Sequence, residues 1–449
     1  MILLKTLYWL LLVSLTKIIC SAHFLPPNYS GDPEAIMDVP EIANRWGYPL
    51  ETHSVITADG YILLLHRIPH GQNGSFFNSN TTRPVVFLQH GLLCTSSVWL
   101  MNMPHQSPAF ILADYGYDVW MGNNRGNTYS REHINYDTSD YAYWRFSWKE
   151  MADYDLPAMI DYVLKVTGQP NLYYIGHSQG TLIMFSGLSQ NRNLSHKIRK
   201  FYALAPVAKM LHVKGVFAWL GGSMFRNFKV LYFYMKSLLQ LFSTMFADTE
   251  FLPNSIVSRV MTQIICGFPS RDSFCENFMF LLSGPDSNQM NKTRIGVYLA
   301  HNPAGTSTRN MMHFAQMVHS GRLAPYDYYI PLINKKHYGK PIPPLYNVSG
   351  ITVPMNLYYS HADWISTDKD VEEYLLKNLP KKALKSVHRL TDFNHNDFLW
   401  GLRAPHEIFF PIADDIQADY QKLQIAHSAE PLFKKSKLRD VQSFLNASK

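Results

Sequence analysis

Cysteine is scarce in this 449-residue chain, with four in all, too few for the dense bridging that staples small secreted domains. No cysteines and histidines are spaced as ligands of a structural zinc ion. Charge is sparse too, at 17% of residues, and the net excess of +7 is not laid out as a stripe. The only dense basic cluster is Lys434, Lys435, Lys437 and Arg439 near the C-terminus, and no basic run is interleaved with aromatics, which argues against a nucleic-acid partner. Beyond the N-terminus no apolar run is long enough to span a bilayer. There is no internal repeat. What remains is an ordinary globular composition, 47% hydrophobic and 14% aromatic, at a length that suits one large α/β core carrying an insertion.

The first residues do contain an apolar stretch. Lys5 is followed by a run from Leu7 to Val13 that continues to Ile19, then Cys20-Ser21-Ala22. A charged start, a short apolar segment and small residues before a cut are the grammar of a secretory signal peptide, here expected to span 1–22; Lys17 interrupts the run before it could act as an anchor. Seven Asn-x-Ser/Thr sequons, at Asn28, Asn73, Asn80, Asn193, Asn291, Asn347 and Asn446, agree with a secretory route and are candidate glycan sites. Removal of Cys20 leaves Cys94, Cys266 and Cys275. Three thiols allow at most one internal bridge; Cys266–Cys275 is the economical pairing, with Cys94 left free.

Strand patterns open the chain at 51–57 and 61–68, separated by the turn Asp59-Gly60, and after a polar loop at 84–90. Strands then alternate with helical stretches: 118–122, a helix near 154–167, 172–176, a helix from Gln179, and 201–205. That alternation predicts a mostly parallel sheet with helices on both faces. Between 207 and 347 the alternation gives way to Leu/Met/Phe-rich stretches, read as an inserted, mainly helical cap. Strands return at 353–360 and 384–390, a last helix covers 405–421, and 422–449 is a polar basic tail. The core is therefore expected in two parts, 23–206 and 348–421.

Gly176-His177-Ser178-Gln179-Gly180 lies between a predicted strand and a predicted helix. This is the context of a nucleophile elbow, in which a tight strand-to-helix turn strains the serine and leaves no room for side chains two positions away on either side. A serine that attacks an acyl carbonyl needs N–H donors aimed at the developing oxyanion. The N–H of Gln179, at the start of its helix, is one candidate; the loop His90-Gly91-Leu92-Leu93 after the strand 84–90 offers Leu92 as the other. In α/β-hydrolase order an acid and then a histidine follow the serine. Asp363 falls in the loop after the strand ending at Ser360, where ligand sites of parallel sheets form; Asp368 and Asp370 are its rivals but sit where a helix would begin and acids serve as caps. His395, in the loop Phe393-Asn394-His395-Asn396 after the strand 384–390, is the candidate base, whereas His388 falls within a strand and His406 within the last helix.

These residues resemble the acid lipases of the α/β-hydrolase fold, the family of gastric and lysosomal acid lipase. The likeness runs from about Pro33 to Asp419 through Trp46-Gly47-Tyr48-Pro49, Asp59-Gly60-Tyr61-Ile62-Leu63, Pro84 to Leu93, Gly122-Asn123-Asn124-Arg125-Gly126-Asn127-Thr128, Tyr154-Asp155-Leu156-Pro157-Ala158, Gly176 to Thr181 and Asn302-Pro303-Ala304-Gly305-Thr306-Ser307. The resemblance implies Ser178 as nucleophile, Asp363 as orienting acid, His395 as base, Leu92 and Gln179 as oxyanion donors, and a cap disulfide at Cys266 and Cys275. It also implies hydrolysis of triacylglycerols, with cholesteryl esters as a second candidate, at acidic pH and without metal or cofactor. Cys94, where a small residue such as alanine is expected, and the extension past Asp419 depart from the pattern without touching the triad.

Two other functions fit the same fold: a non-catalytic lipid carrier, which has no use for a strained elbow with base and acid, and an acyltransferase that passes the acyl group to an alcohol. The partner expected in each case is a lipid ester or a lipid–water interface. The apolar wealth of 216–245, including Phe217, Trp219, Phe225, Phe228 and Phe233, adds an expectation that this part of the cap covers the site and opens at a lipid surface.

Overall fold

A computed structural model describes residues 32–72, 83–219, 248–255 and 272–425. Eight of the nine strands of the main sheet form one continuous path: β1 Glu51–Ile56, β2 Tyr61–Ile68, β3 Val85–Gln89, β4 Asp118–Gly122, β5 Leu172–His177, β6 Ile198–Leu204, β7 Met355–Ser360 and β8 Leu384–Leu390. They lie in the order β1-β2-β4-β3-β5-β6-β7-β8. β1 and β2 pair antiparallel, β2 meets β4 antiparallel, and every pairing from β4 through β8 is parallel. The chain has the α/β-hydrolase fold.

Sequence pattern explains which strands sit where. Every residue of β3, β4, β5 and β7 is buried, as expected of central parallel strands covered on both faces and built from unbroken runs such as Val-Val-Phe-Leu. Along them, side chains alternate between two cores: Val86, Leu88, Tyr173 and Ile175 enter one, and Val85, Phe87, Leu172 and Tyr174 the other. The outermost strands β1 and β8 alternate in exposure, with one face in water.

Among the helices are α1 Leu156–Thr167, α2 Gln179–Gln190, α3 Asp272–Ser283 and α4 Thr308–Ser320. The connection that leaves β4 is anchored by Arg125, wholly buried, which binds Asp155 at 2.7 Å and Asp59 at 2.6 Å and lies 3.9 Å over the Tyr61 ring. Such a buried cation is tolerable only with both carboxylates in place.

Several boundaries differ from the sequence reading. β6 begins at Ile198, three residues before the expected 201, because it pairs with the start of β5. A two-residue strand, Glu132–His133, adds to β2 beyond anything the pattern suggests. The last helix continues to Ile425, past the expected end at 421. Within 207–347 the described residues contribute nothing to the main sheet; they form α3, α4, shorter helices and a two-stranded ladder of Glu250–Phe251 with Thr306–Ser307. Most of the apolar segment 216–245, the segment 1–22, Cys266, and the sequons at Asn28, Asn73, Asn80 and Asn446 lie outside the described residues. Among the described residues no helix is long and apolar enough to cross a membrane.

Candidate active site

Ser178 sits at the turn from β5 into α2 with φ 53° and ψ −118°. Holding a non-glycine residue there costs of order 1–3 kcal/mol, and the surroundings must enforce it. They do so by close approach: a Cβ on Gly176 would lie 2.9 Å from the backbone of Gly180, and one on Gly180 would lie 2.3 Å from the carbonyl oxygen of Gln89. Both glycines of the motif are thus demanded by contact, and the strain lifts the serine hydroxyl out of the turn.

That hydroxyl meets a histidine from far along the chain. Ser178 Oγ is 2.8 Å from His395 Nε2, and His395 Nδ1 is 2.8 Å from Asp363 Oδ2. All three residues are buried. A carboxylate accepts only, so Nδ1 carries the imidazole proton and Nε2 presents its lone pair to the serine O–H. The second oxygen of Asp363 accepts the N–H groups of Ile365 and Ser366, at 2.8 and 2.9 Å, which fixes the carboxylate plane. A chain of this kind can take a proton from the serine as its oxygen attacks a carbonyl carbon.

The rivals are placed elsewhere. Asp370 accepts from the N–H groups of Leu211 and His212 and from Thr367 Oγ1, pinning a loop to a helix start. Asp368 pairs with the exposed Arg389, His388 lies in β8 against Ser386, and His406 stacks edge-on to Phe410. None of the four reaches Ser178.

Gln179 directly follows Ser178 in the chain. Gln179 opens α2, where a first-turn N–H has no partner within the helix. The loop that carries Leu92 runs against Ser178, since a Cβ on Gly91 would lie 3.1 Å from Ser178 Cβ. The Gln179 side chain accepts from Asn310 Nδ2 of α4 at 2.9 Å, so a helix of the 207–347 segment braces the residue beside the serine.

Sequence reasoning missed two supports. Ser283, the last residue of α3, offers one carbonyl to both the N–H of His395, at 3.1 Å, and that of Trp364, at 3.3 Å, so the loop of His395 and the loop of Asp363 hang from one oxygen. His177, next to Ser178, donates from Nε2 to the His395 carbonyl at 3.0 Å; burial, followed by the nearby His395, drives its pKa well below the usual histidine value and keeps it neutral. His177 was visible in the motif, but its role was not. The Ser283 contact has no sequence signal at all, because any residue has a carbonyl.

Among the described residues, no group of three or more His, Cys, Asp or Glu side chains is arranged to hold a metal ion. Cys94 is a free thiol, while Cys275 is disulfide-bonded.

The α/β-hydrolase fold family matches residues 84–254, and a partial α/β-hydrolase lipase region matches 39–103. Lipase lipl-3 of Caenorhabditis elegans is 47% identical over 412 residues, 91% of this chain and 98% of that protein. Human gastric triacylglycerol lipase is 41% identical over 414 residues, covering 92% of this chain and 99% of the relative. The chain belongs to this lipase family. A solved structure from Sulfolobus solfataricus, at 13% identity and a TM-score of 0.50 over 80% of this chain and 90% of the other, shares the fold with the lipase.

Two residues beyond His395 the lipase buries another carboxyl, Asp397, whose Oδ2 accepts the N–H of Asn394 at 2.7 Å. Burial, reinforced by Asp392 and Asp286, pushes its pKa up to about 7. The native state therefore holds a proton that the unfolded chain releases near pH 4. Stability from this group is present below that pH and is lost as pH rises toward 7, a span on the order of 4 kcal/mol. Buried His66 and His90, both lowered to about 4 by burial, act oppositely and lose stability as pH falls from about 6.5. Asp397→Asn is expected to leave the melting temperature at pH 4.5 nearly unchanged and to raise it at pH 7.5. An equal shift at both pH values would show that Asp397 does not titrate in this window.

Proposed function

We propose that this lipase cleaves the carboxylic ester bonds of neutral lipids, triacylglycerols first and cholesteryl esters second, at acidic pH through an acyl-enzyme on Ser178. The observation that carries the reading is the continuous chain from Ser178 Oγ through both nitrogens of His395 to Asp363. His395 Nε2 takes the hydroxyl proton while Oγ bonds to the ester carbon, and the carbonyl oxygen becomes an oxyanion met by the N–H groups of Leu92 and Gln179. The tetrahedral species collapses, the alcohol leaves with the proton from His395, and the acyl group stays on Ser178. Water, losing a proton to the same Nε2, then releases the fatty acid. No step calls for a metal or cofactor.

The same reading assigns 207–347 as a cap inserted between core segments 23–206 and 348–421, with Cys266 as the bridge partner of Cys275. It assigns 1–22 as a signal peptide and places the mature protein outside the cell or in a lysosome. Support for glycosylation comes from exposed Asn193 and Asn347 and from half-buried Asn291. At Asn291 and Asn347 the side-chain oxygen accepts the N–H of its own sequon Thr293 or Ser349, which leaves the amide nitrogen available.

Labelling with a fluorophosphonate followed by peptide mapping tests the mechanism. Modification is expected on Ser178 alone. Label on another residue, or none, would remove the acyl-enzyme reading.

A further inference from the structure

We propose that His90 is the positioning residue of the oxyanion hole, setting the Gly91–Leu92 peptide so that the Leu92 N–H faces Ser178. This rests on the proposed role of Leu92 and adds the side chain that creates it.

His90 follows β3 and is 2% exposed. Its Nε2 lies 3.1 Å from the backbone N of Asn124 and 3.2 Å from Asn127 Nδ2, both donors. That nitrogen must therefore be the lone-pair side of a neutral ring, and the proton must sit on Nδ1. Nδ1 is 2.8 Å from the Gly91 carbonyl oxygen, so it donates there. In a planar trans peptide the carbonyl and the following N–H point in opposite directions. Fixing the Gly91 oxygen toward the His90 ring therefore turns the Leu92 N–H away from it. The adjoining Gly91 backbone passes close to Ser178, where a Cβ would lie 3.1 Å from the serine Cβ.

The rest of the loop is tethered in the same manner. The Leu92 carbonyl accepts from Cys94 Sγ at 3.3 Å, that of Leu93 from the N–H of Ala304 at 2.7 Å, and that of Cys94 from Asn127 Nδ2 at 3.4 Å. Counting Gly91, each carbonyl from 91 to 94 has a donor. The Leu92 N–H has no acceptor among the described residues. A loop whose oxygens are held while its Leu92 N–H is left without a protein acceptor is prearranged for a charge that forms only during reaction. Asn127 Nδ2 shares its two hydrogens among His90, the Cys94 carbonyl and the Asn123 side-chain oxygen, so the connection after β4 backs the assembly.

Asparagine and glutamine separate the two halves of the ring's work. The amide nitrogen of asparagine falls where Nδ1 sits and can still donate to Gly91; the amide of glutamine reaches the place of Nε2 and can satisfy only Asn124 and Asn127. The variants H90A, H90N and H90Q would be compared on a soluble p-nitrophenyl butyrate for kcat and KM, and with an alkyl boronic acid, whose adduct on Ser178 places an oxygen in the hole. H90A and H90Q are expected to lose about 10²–10³ in kcat, the scale of one oxyanion donor, with KM within about twofold and boronate affinity falling in parallel. H90N should stay within about tenfold of the native enzyme on both measures. Equal losses in all three, tracking melting temperature, or a glutamine variant better than the asparagine one, would overturn the assignment in favour of packing. A native enzyme that is neither labelled at Ser178 nor inhibited by the boronate would instead remove the underlying reading of the site.

Discussion

Ser178→Ala is expected to reduce ester hydrolysis to below about a thousandth of native turnover, since loss of the nucleophile of a triad removes the covalent route and leaves only what binding and oxyanion stabilisation supply. The fold should survive. The side-chain oxygen makes its hydrogen bond to His395, worth about 1 kcal/mol net, and alanine bears the positive φ at much the same cost as serine. Melting temperature should match the native protein, while fluorophosphonate label disappears. Turnover above a thousandth in a preparation free of native enzyme would transfer the nucleophile's role to another residue.

The second large effect is expected at Asp363. In Asp363→Asn, one side-chain atom must keep accepting from the N–H groups of Ile365 and Ser366, which claims the amide oxygen. The amide nitrogen then faces His395 Nδ1, where a donor meets a donor unless the imidazole proton moves to Nε2. In that tautomer the ring presents N–H to Ser178 and cannot act as base. A loss of about 10⁴ in kcat is the scale for a triad held in the wrong tautomer. Asp368→Asn should change little, because its partner Arg389 lies at the surface. Asp370→Asn should cost stability and leave kcat within a few-fold, since its carboxylate holds the Leu211–His212 backbone and not the base. Measuring kcat and melting temperature for the three variants side by side separates these roles; a rate loss at Asp370 as large as that at Asp363 would reassign the acid.

Asp363 also marks where reading the sequence stops. Its position in the loop after β7 follows from the alternating pattern, and the acid-then-histidine order picks it and His395 out of 34 acidic residues and 19 histidines. Ser178 was legible for a local reason: the strain of the elbow and the contacts at Gly176 and Gly180 restrict residue type over five consecutive positions. The unbroken apolar runs of β3, β4 and β5 likewise announce strands buried on both faces. Where a demand falls on neighbouring side chains, it leaves a pattern in the sequence.

The tertiary structure alone decided what holds those residues to their task. The Ser283 carbonyl that gathers the loops of Asp363 and His395, the Asn310 amide that braces Gln179, and the donors that occupy each carbonyl from 91 to 94 join groups as many as two hundred residues apart. Two of these partners, the Ser283 carbonyl and the Ala304 N–H, are backbone atoms, alike in every residue, and the rest are side chains whose pairing no local pattern announces. The protonation of Asp397 and the neutrality of His90 belong to the same class, for they depend on burial, which is a property of the assembled chain. Residue identity singled out the candidate groups; long-range packing fixed their tautomers, their charge and the direction in which they point.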